Sequence, residues 1–81
     1  MDRINIEERF SDIIQKVAKK DIIIYEGLDF VEDLDFDSIE LIQLIVFVED
    51  EFQITIEDKY FNLENLKSYS WFINTIGELC P

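Results

Sequence analysis

Asp37-Ser38-Ile39-Glu40-Leu41-Ile42-Gln43-Leu44-Ile45-Val46-Phe47-Val48-Glu49-Asp50-Glu51-Phe52 decides the fold. Leu41, Leu44, Ile45, Val48 and Phe52 recur at spacings of three and four, so the stretch predicts a helix over roughly residues 38–52 with one face in the core. Ile39, Ile42 and Val46 form a second apolar stripe, rotated from the first and running on directly from Ser38. A surface helix carries one such stripe. Two stripes mean burial between neighbours or an exposed contact patch, and a chain of 81 residues has little room to bury both. The exposed patch is the favoured reading, with Glu40, Gln43, Glu49, Asp50 and Glu51 as its polar rim.

Working outward, Asn5-Ile6-Glu7-Glu8 offers an N-cap with Glu three residues on. Ile6, Phe10, Ile13, Ile14, Val17 and Ala18 follow at helical spacing, which predicts a first helix over about residues 5–20. Glu7 and Glu8 then fall in its first turn, and Lys16, Lys19 and Lys20 in its last, as the macrodipole prefers. Residues 21–37 read as a long loop. Asp21-Ile22-Ile23-Ile24-Tyr25 is strand-like but has no partner strand, while Phe30, Val31 and Leu34 are expected to pin the loop to the core. After the second helix, Ile54-Thr55-Ile56-Glu57-Asp58 reads as an extended link. A short third helix is expected near 59–63. A last helix starts at Ser68 as N-cap, carries Tyr69, Phe72, Ile73, Ile76 and Leu79 inward, weakens at Gly77 and stops at Pro81. The expected architecture is all-α: one domain over residues 1–81, a four-helix bundle with a long first loop and a short third helix.

The charge is one-sided: 19 acidic against 7 basic residues give a net charge of −12. Arg3, Arg9, Lys16, Lys19 and Lys20 precede Asp21, and no base follows until Lys59. Nucleic acid and anionic membranes are poor partners for such a surface, and basic proteins are good ones. The chain has no histidine, which removes Ser-His and Cys-His nucleophilic machinery and the usual zinc sites. The reading is a non-enzyme, with any catalyst supplied by another protein. One cysteine, Cys80, allows no internal disulfide. With no transmembrane-length run and no signal-type segment, the chain is expected to be a cytoplasmic protein without membrane insertion.

Ser38 is the best functional candidate, a hydroxyl ringed by acids where a loop gives way to a helix. Helix N-termini carry unsatisfied N–H groups and partial positive charge, and a phosphate ester there is stabilised by both. Asp33-x-Asp35-x-Asp37 matches the opening of a calcium loop, but Ser38 and Leu44 stand where that loop needs Gly and a bidentate Glu, so no metal site is assigned. Two readings stay open on the residues alone: Ser38 as a plain helix cap, or as a modified serine on an acidic, partner-facing helix.

The chain resembles the acyl and peptidyl carrier proteins over nearly its whole length. Ile6-Glu7-Glu8-Arg9 is similar to the start of their first helix, and Phe30-Val31-Glu32-Asp33-Leu34 to the end of their long loop. Asp37-Ser38-Ile39 resembles their Asp-Ser-Leu attachment motif. Glu49-Asp50-Glu51-Phe52 followed by Ile54 and Ile56 resembles the exit from their second helix. The resemblance implies that Ser38, beside Asp37, carries 4′-phosphopantetheine from coenzyme A, transferred by a phosphopantetheinyl transferase, with cargo held as a thioester on that arm. It implies a stand-alone monomeric carrier loaded by an acyl- or aminoacyl-ligase and serving synthases or transferases that bear basic patches. Partner contacts would come from Asp35, Asp37, Ile39, Glu40, Ile42, Val46 and Glu49. The alternative of another class is an unmodified acidic adaptor binding a basic partner through the second helix.

Three positions depart from the family pattern: Asp35 for the usual Gly, Ile39 for Leu, and Gln43 where an acid is frequent. Phe47, Phe52, Tyr60, Phe61, Tyr69, Trp71 and Phe72 make the second half rich in rings, which would tend to fill an acyl cavity. That favours an aminoacyl, polyketide or short acyl cargo, with a fatty acyl role left open.

Overall fold

The structure is a computed structural model and describes residues 1–80. Helix α1 (Arg3–Ala18) and α2 (Ser38–Phe52) are joined by the long loop, and a 3-10 turn at Asp58–Tyr60 leads to α3 (Leu63–Leu66) and α4 (Tyr69–Leu79). The expected all-α architecture is what forms. α2 has the bounds its apolar pattern predicts.

α1 begins two residues earlier than its pattern suggests, because Asp2 and not Asn5 is the cap. The Asp2 carboxylate accepts from the Asn5 N–H at 2.9 Å. Both residue types cap well, but Asp adds a charge that the helix N-terminus favours. Glu7 and Glu8 therefore lie past the first turn. Lys19 leaves the helix in the left-handed region at φ 60°, so of the three lysines only Lys16 sits in the last turn.

The third helix is displaced from its expected place near 59–63. Residues 58–60 form the 3-10 turn, and α3 starts only after Asn62, whose side chain accepts from the Asn65 N–H at 3.0 Å. α4 has the predicted cap, with the Ser68 hydroxyl accepting from the Trp71 N–H at 3.1 Å, and runs through Gly77 to Leu79. The stop expected at Pro81 lies outside the described residues. Leu79, expected inside, is 44% exposed. At 100° per residue it falls just beyond Phe72, past the edge of the arc set by Tyr69, Phe72, Ile73 and Ile76, and it lies in the last turn of α4.

Ile6, Phe10, Ile13, Ile14 and Val17 of α1 meet Leu41, Leu44, Ile45 and Val48 of α2 and Phe72, Ile73 and Ile76 of α4 in one core. The buried rings do not come from the second half of the chain alone. Phe10 lies 5.0 Å from Phe72, 5.6 Å from Tyr69 and 6.0 Å from Phe30, ring centre to ring centre, and Phe30 stacks on Phe36 at 5.8 Å. Tyr60, by contrast, is exposed, and Phe47, Phe61 and Trp71 are half-buried. Arg9 fastens α1 to the end of α2. Its guanidinium reaches the Glu51 carboxylate and the Glu51 carbonyl, both at 2.7 Å, and lies 4.6 Å over the Phe52 ring.

The long loop is held by specific bonds. The Gln15 side chain pairs with both backbone groups of Ile22, at 2.6 and 3.1 Å, which holds the strand-like run as irregular backbone. The Phe30 N–H donates to the Lys67 carbonyl at 2.8 Å and the Tyr69 N–H to the Leu28 carbonyl at 3.2 Å, tying the loop to the start of α4. Asp33 accepts from the Asp29 N–H and the Tyr25 hydroxyl. Glu26 accepts from the Arg3 guanidinium at 2.6 Å and lies 2.7 Å from the Ser70 hydroxyl.

These bonds hold both carboxyls below the usual carboxylate range: Asp33 through the Asp29 N–H and then the Tyr25 hydroxyl, Glu26 through the Ser70 hydroxyl and then Arg3. A depressed carboxyl contributes stability that is present above its unfolded pKa and lost as pH falls through its folded one. Below about pH 4, the Asp29 amide is therefore expected to lose hydrogen-exchange protection before the amides of α1. Local exchange is the proper readout, because protonating the other acids relieves self-repulsion and offsets the loss in the global melt. Simultaneous loss of protection in loop and helix would refute the local clasp.

Candidate functional site

Ser38 is the first residue of α2, and its side chain is exposed. It is not the cap. Asp37 is: its carboxylate accepts from the Glu40 N–H at 2.9 Å, while the Glu40 carboxylate accepts from the Asp37 N–H at 2.9 Å, a reciprocal capping box. The plain-cap reading of Ser38 is thereby corrected. The capping work is done by its neighbours, and no hydrogen bond occupies its hydroxyl among the described residues.

The other three serines are placed differently. Ser68 caps α4, Ser70 donates to Glu26, and Ser11 lies half-buried within α1. Ser38 alone of the four combines an exposed, unengaged hydroxyl with the N-terminus of a 15-residue helix. The amide N–H groups of a first helical turn attract an anion.

Asp35 has φ 58°, in the left-handed region. Only Gly enters that region without penalty, and Asp is among the better substitutes. Asp35→Gly is expected to stabilise the fold by about 0.5–1 kcal/mol, a rise in Tm of roughly 3–6 °C, after allowing for the greater freedom of glycine in the unfolded chain. A thermal melt checks this, and an unchanged or lower Tm would show that the Asp35 side chain compensates for its backbone.

Asp33, Asp35 and Asp37 do not converge as a calcium loop would require. Asp33 turns to Tyr25 and Asp29, and Asp37 to Glu40. Among the described residues, no cluster of His, Cys, Asp or Glu is placed to hold a metal ion.

The two stripes of α2 separate as their spacing implies. Leu41, Leu44, Ile45, Val48 and Phe52 are buried, and Ile39, Ile42 and Val46 are 70%, 44% and 53% exposed. Ile39, Ile42 and Val46 therefore share one outer face with Ser38 at its head. Glu49 is set apart from them. It is half-buried, and its carboxylate accepts from the Ile56 N–H at 2.9 Å, securing the turn after α2. Phe47 and Lys16 escaped the sequence reading of this face. Phe47 flanks it half-buried, with the Lys16 ammonium 4.9 Å above its ring, a contact between helices that spacing along one helix cannot reveal.

The family model described as the phosphopantetheine attachment site matches residues 8–70. An acyl carrier protein of Buchnera aphidicola subsp. Acyrthosiphon pisum (strain Tuc7) is 41% identical over 56 residues, covering 68% of this chain and 70% of the relative. One from Exiguobacterium sibiricum is 41% identical over 56 residues, 69% and 68% of the two chains. A third, from Petrotoga mobilis, is 43% identical over 49 residues, 60% and 55%. The chain belongs to the acyl carrier protein family. Its prosthetic group is a covalently attached 4′-phosphopantetheine. An exposed, unengaged serine hydroxyl at a helix N-terminus fits a phosphodiester link of this kind. Among the described residues, no helix is long and apolar enough to cross a membrane.

Proposed function

We propose that this chain carries acyl intermediates on a 4′-phosphopantetheine arm joined to Ser38. The observation that carries the reading is the division of labour at the head of α2, where Asp37 and Glu40 cap the helix and leave the Ser38 hydroxyl free. In the transfer, the Ser38 oxygen forms a bond to the phosphorus that bears the pantetheine arm of coenzyme A. The bond from that phosphorus to the nucleotide half breaks, adenosine 3′,5′-bisphosphate leaves, and the hydroxyl proton passes to a base of the phosphopantetheinyl transferase. The arm supplies a terminal thiol, on which cargo rides as a thioester.

This chain's own contribution is to present the serine, stabilise the phosphodiester with helix N–H groups, and offer a docking face. We assign that face to Ile39, Ile42 and Val46 with the exposed acids Asp35 and Asp37 and the half-buried Glu40. A partner enzyme with an apolar spot inside a basic rim is complementary to it, and the net charge of −12 would speed the encounter at low salt. Glu49 would contribute charge only, since its carboxylate already holds the Ile56 N–H.

The cargo assigned is a short acyl, aminoacyl or polyketide group. The supporting observation is the ring cluster of Phe10, Phe30, Phe36, Tyr69 and Phe72, packed at centroid distances of 5.0–6.0 Å where a long chain would need space.

Incubation with coenzyme A and a promiscuous transferase, followed by intact mass and peptide mapping, tests the reading. One phosphopantetheine increment is expected, on the peptide containing Ser38. No increment, or an increment on another peptide, would overturn it, and the first result would leave an unmodified acidic adaptor.

A further inference from the structure

Glu7, Glu8 and Asp12 of α1, Tyr25 and Glu26 of the long loop, and Tyr69 at the start of α4 line an open depression of about 590 Å³ where these three elements meet. No residue of α2 lines it. Two features set it apart from the rest of the acidic surface.

The first is the Tyr69 hydroxyl. Tyr69 is 3% exposed, and its ring stacks on Phe10 in the core. The hydroxyl makes no hydrogen bond among the described residues. No fully buried side-chain oxygen or nitrogen among them lacks a partner, so this hydroxyl reaches solvent, and it does so through the depression that Tyr69 lines. Burial, then Glu7 and then Glu26 hold it above the ordinary tyrosine range, with Arg3 opposing. It is a neutral phenol facing carboxylates, and its oxygen is open to a donor.

The second is the arrangement of charge. Arg3 bridges Glu7 and Glu26, its guanidinium 3.2 and 2.6 Å from the two carboxylates. Glu8 and Asp12 make no ion pair and no side-chain hydrogen bond among the described residues. They stand one turn apart on the same side of α1, where like charges repel. A cation laid between them removes that repulsion.

We propose that the depression is a guanidinium site, filled by an arginine side chain of a partner protein. The planar fork of donors gives one N–H to the Tyr69 oxygen and others to the Glu8 and Asp12 carboxylates. The exposed Tyr25 ring, tethered through its hydroxyl to Asp33, adds a cation–π contact. A metal ion does not fit, because among the described residues no acids converge closely enough to ligate one. A lysine fits less well, since its ammonium is a compact point charge that cannot span separated acceptors. The fold already uses the same recognition: Arg3 spans two carboxylates of two elements, and both carboxylates line the depression.

The site does not depend on where the prosthetic arm is attached. Because α2 takes no part, a partner held here leaves Ser38 and the outer face of α2 open. One protein then anchors the carrier while a second works on its arm.

The test titrates a capped Gly-Arg-Gly peptide, and its lysine and citrulline counterparts, into the full chain at physiological salt, followed by NMR. Saturable shifts are expected at Glu8, Asp12, Tyr25 and Tyr69, with arginine bound about threefold more tightly than lysine and neutral citrulline not at all. Tyr69→Phe keeps the core ring and should weaken binding about fivefold. Glu8→Gln with Asp12→Asn should weaken it about tenfold. Asp58→Asn with Glu64→Gln removes the same charge elsewhere and should leave it within about twofold. All four of these acids are exposed, so the two pairs decide the matter should Tyr69→Phe melt early. Transferase loading of Ser38 should proceed with the peptide bound.

Equal affinity for arginine and lysine, shifts spread over the acids of the whole surface, or equal losses from the two charge pairs would reduce the binding to general counterion attraction and overturn the site. Agmatine bound about tenfold more tightly than the peptide would assign the site to a small free guanidine and overturn the partner. A peptide that blocks loading would overturn the separate face.

Discussion

Ser38→Ala is expected to abolish phosphopantetheine loading completely while moving Tm by no more than about a degree, because the hydroxyl makes no bond that the fold uses. Alanine is a good helix former at an exposed first-turn position, so the substitution removes chemistry without removing structure. Asp37→Ala is its mirror image. It leaves the hydroxyl in place but takes away the carboxylate that accepts from the Glu40 N–H at 2.9 Å, and should cost about 1 kcal/mol, a fall of roughly 4–8 °C in Tm. The pair separates attachment from capping. Were Ser38 only a cap, Ser38→Ala would carry the stability loss and Asp37→Ala little of it. Intact mass after transferase treatment, together with thermal melts of both variants, decides between the two. A residual increment in Ser38→Ala would move the attachment elsewhere and sink the assignment.

The two variants also show what a sequence can and cannot say about such a site. α2 was legible throughout. Its buried stripe and its outer stripe each follow a 3.6-residue period. Which of two adjacent oxygens caps the helix was not legible, because Asp and Ser are near equals in propensity and only their geometry separates them. The same near-equality moved the start of α1 from Asn5 to Asp2. The third helix was misplaced for a different reason. A 3-10 turn of three residues and a helix of four are too short to show a period.

Asp35 was legible as a departure from the family pattern, yet its meaning needed the backbone angle of 58°. Contacts across elements were the least legible. Lys16 over Phe47, Gln15 on Ile22 and Arg9 on Glu51 join residues whose sequence separations carry no pattern. The loop anchors divided along the same line. Phe30 is buried as expected, but its pairing with Lys67 and its stacking on Phe36 depend on where α4 lies.

Phe30→Ala should be the most damaging single substitution for stability, lowering it by about 3–5 kcal/mol. A chain of this length has about 4–12 kcal/mol in total on the scale of about 0.05–0.15 kcal/mol per residue, so Tm should fall by roughly 15–30 °C. The ring is fully buried. It stands edge-on to Phe10 at 6.0 Å and to Phe72 at 5.8 Å and stacks on Phe36 at 5.8 Å, so truncation opens a cavity between α1, α4 and the loop. The stacked Phe36 loses its ring partner. The backbone bond from the Phe36 N–H to the Phe30 carbonyl at 3.0 Å survives the truncation but is no longer held by the ring, and Phe36 lies two residues before Ser38. Phe30 thus sets the position of the segment that delivers the attachment serine to the head of α2. Urea denaturation gives the stability loss. Transferase kinetics on the fraction that stays folded give the second effect, a raised KM for the carrier with kcat little changed, because the hydroxyl survives while its presentation loosens. Phe47→Ala is the control. That ring is half-buried beneath Lys16 beside the outer face of α2, and its loss should cost stability by no more than about 1–2 kcal/mol. Equal losses from the two variants would show that the rings act as bulk filling and that Phe30 anchors nothing in particular.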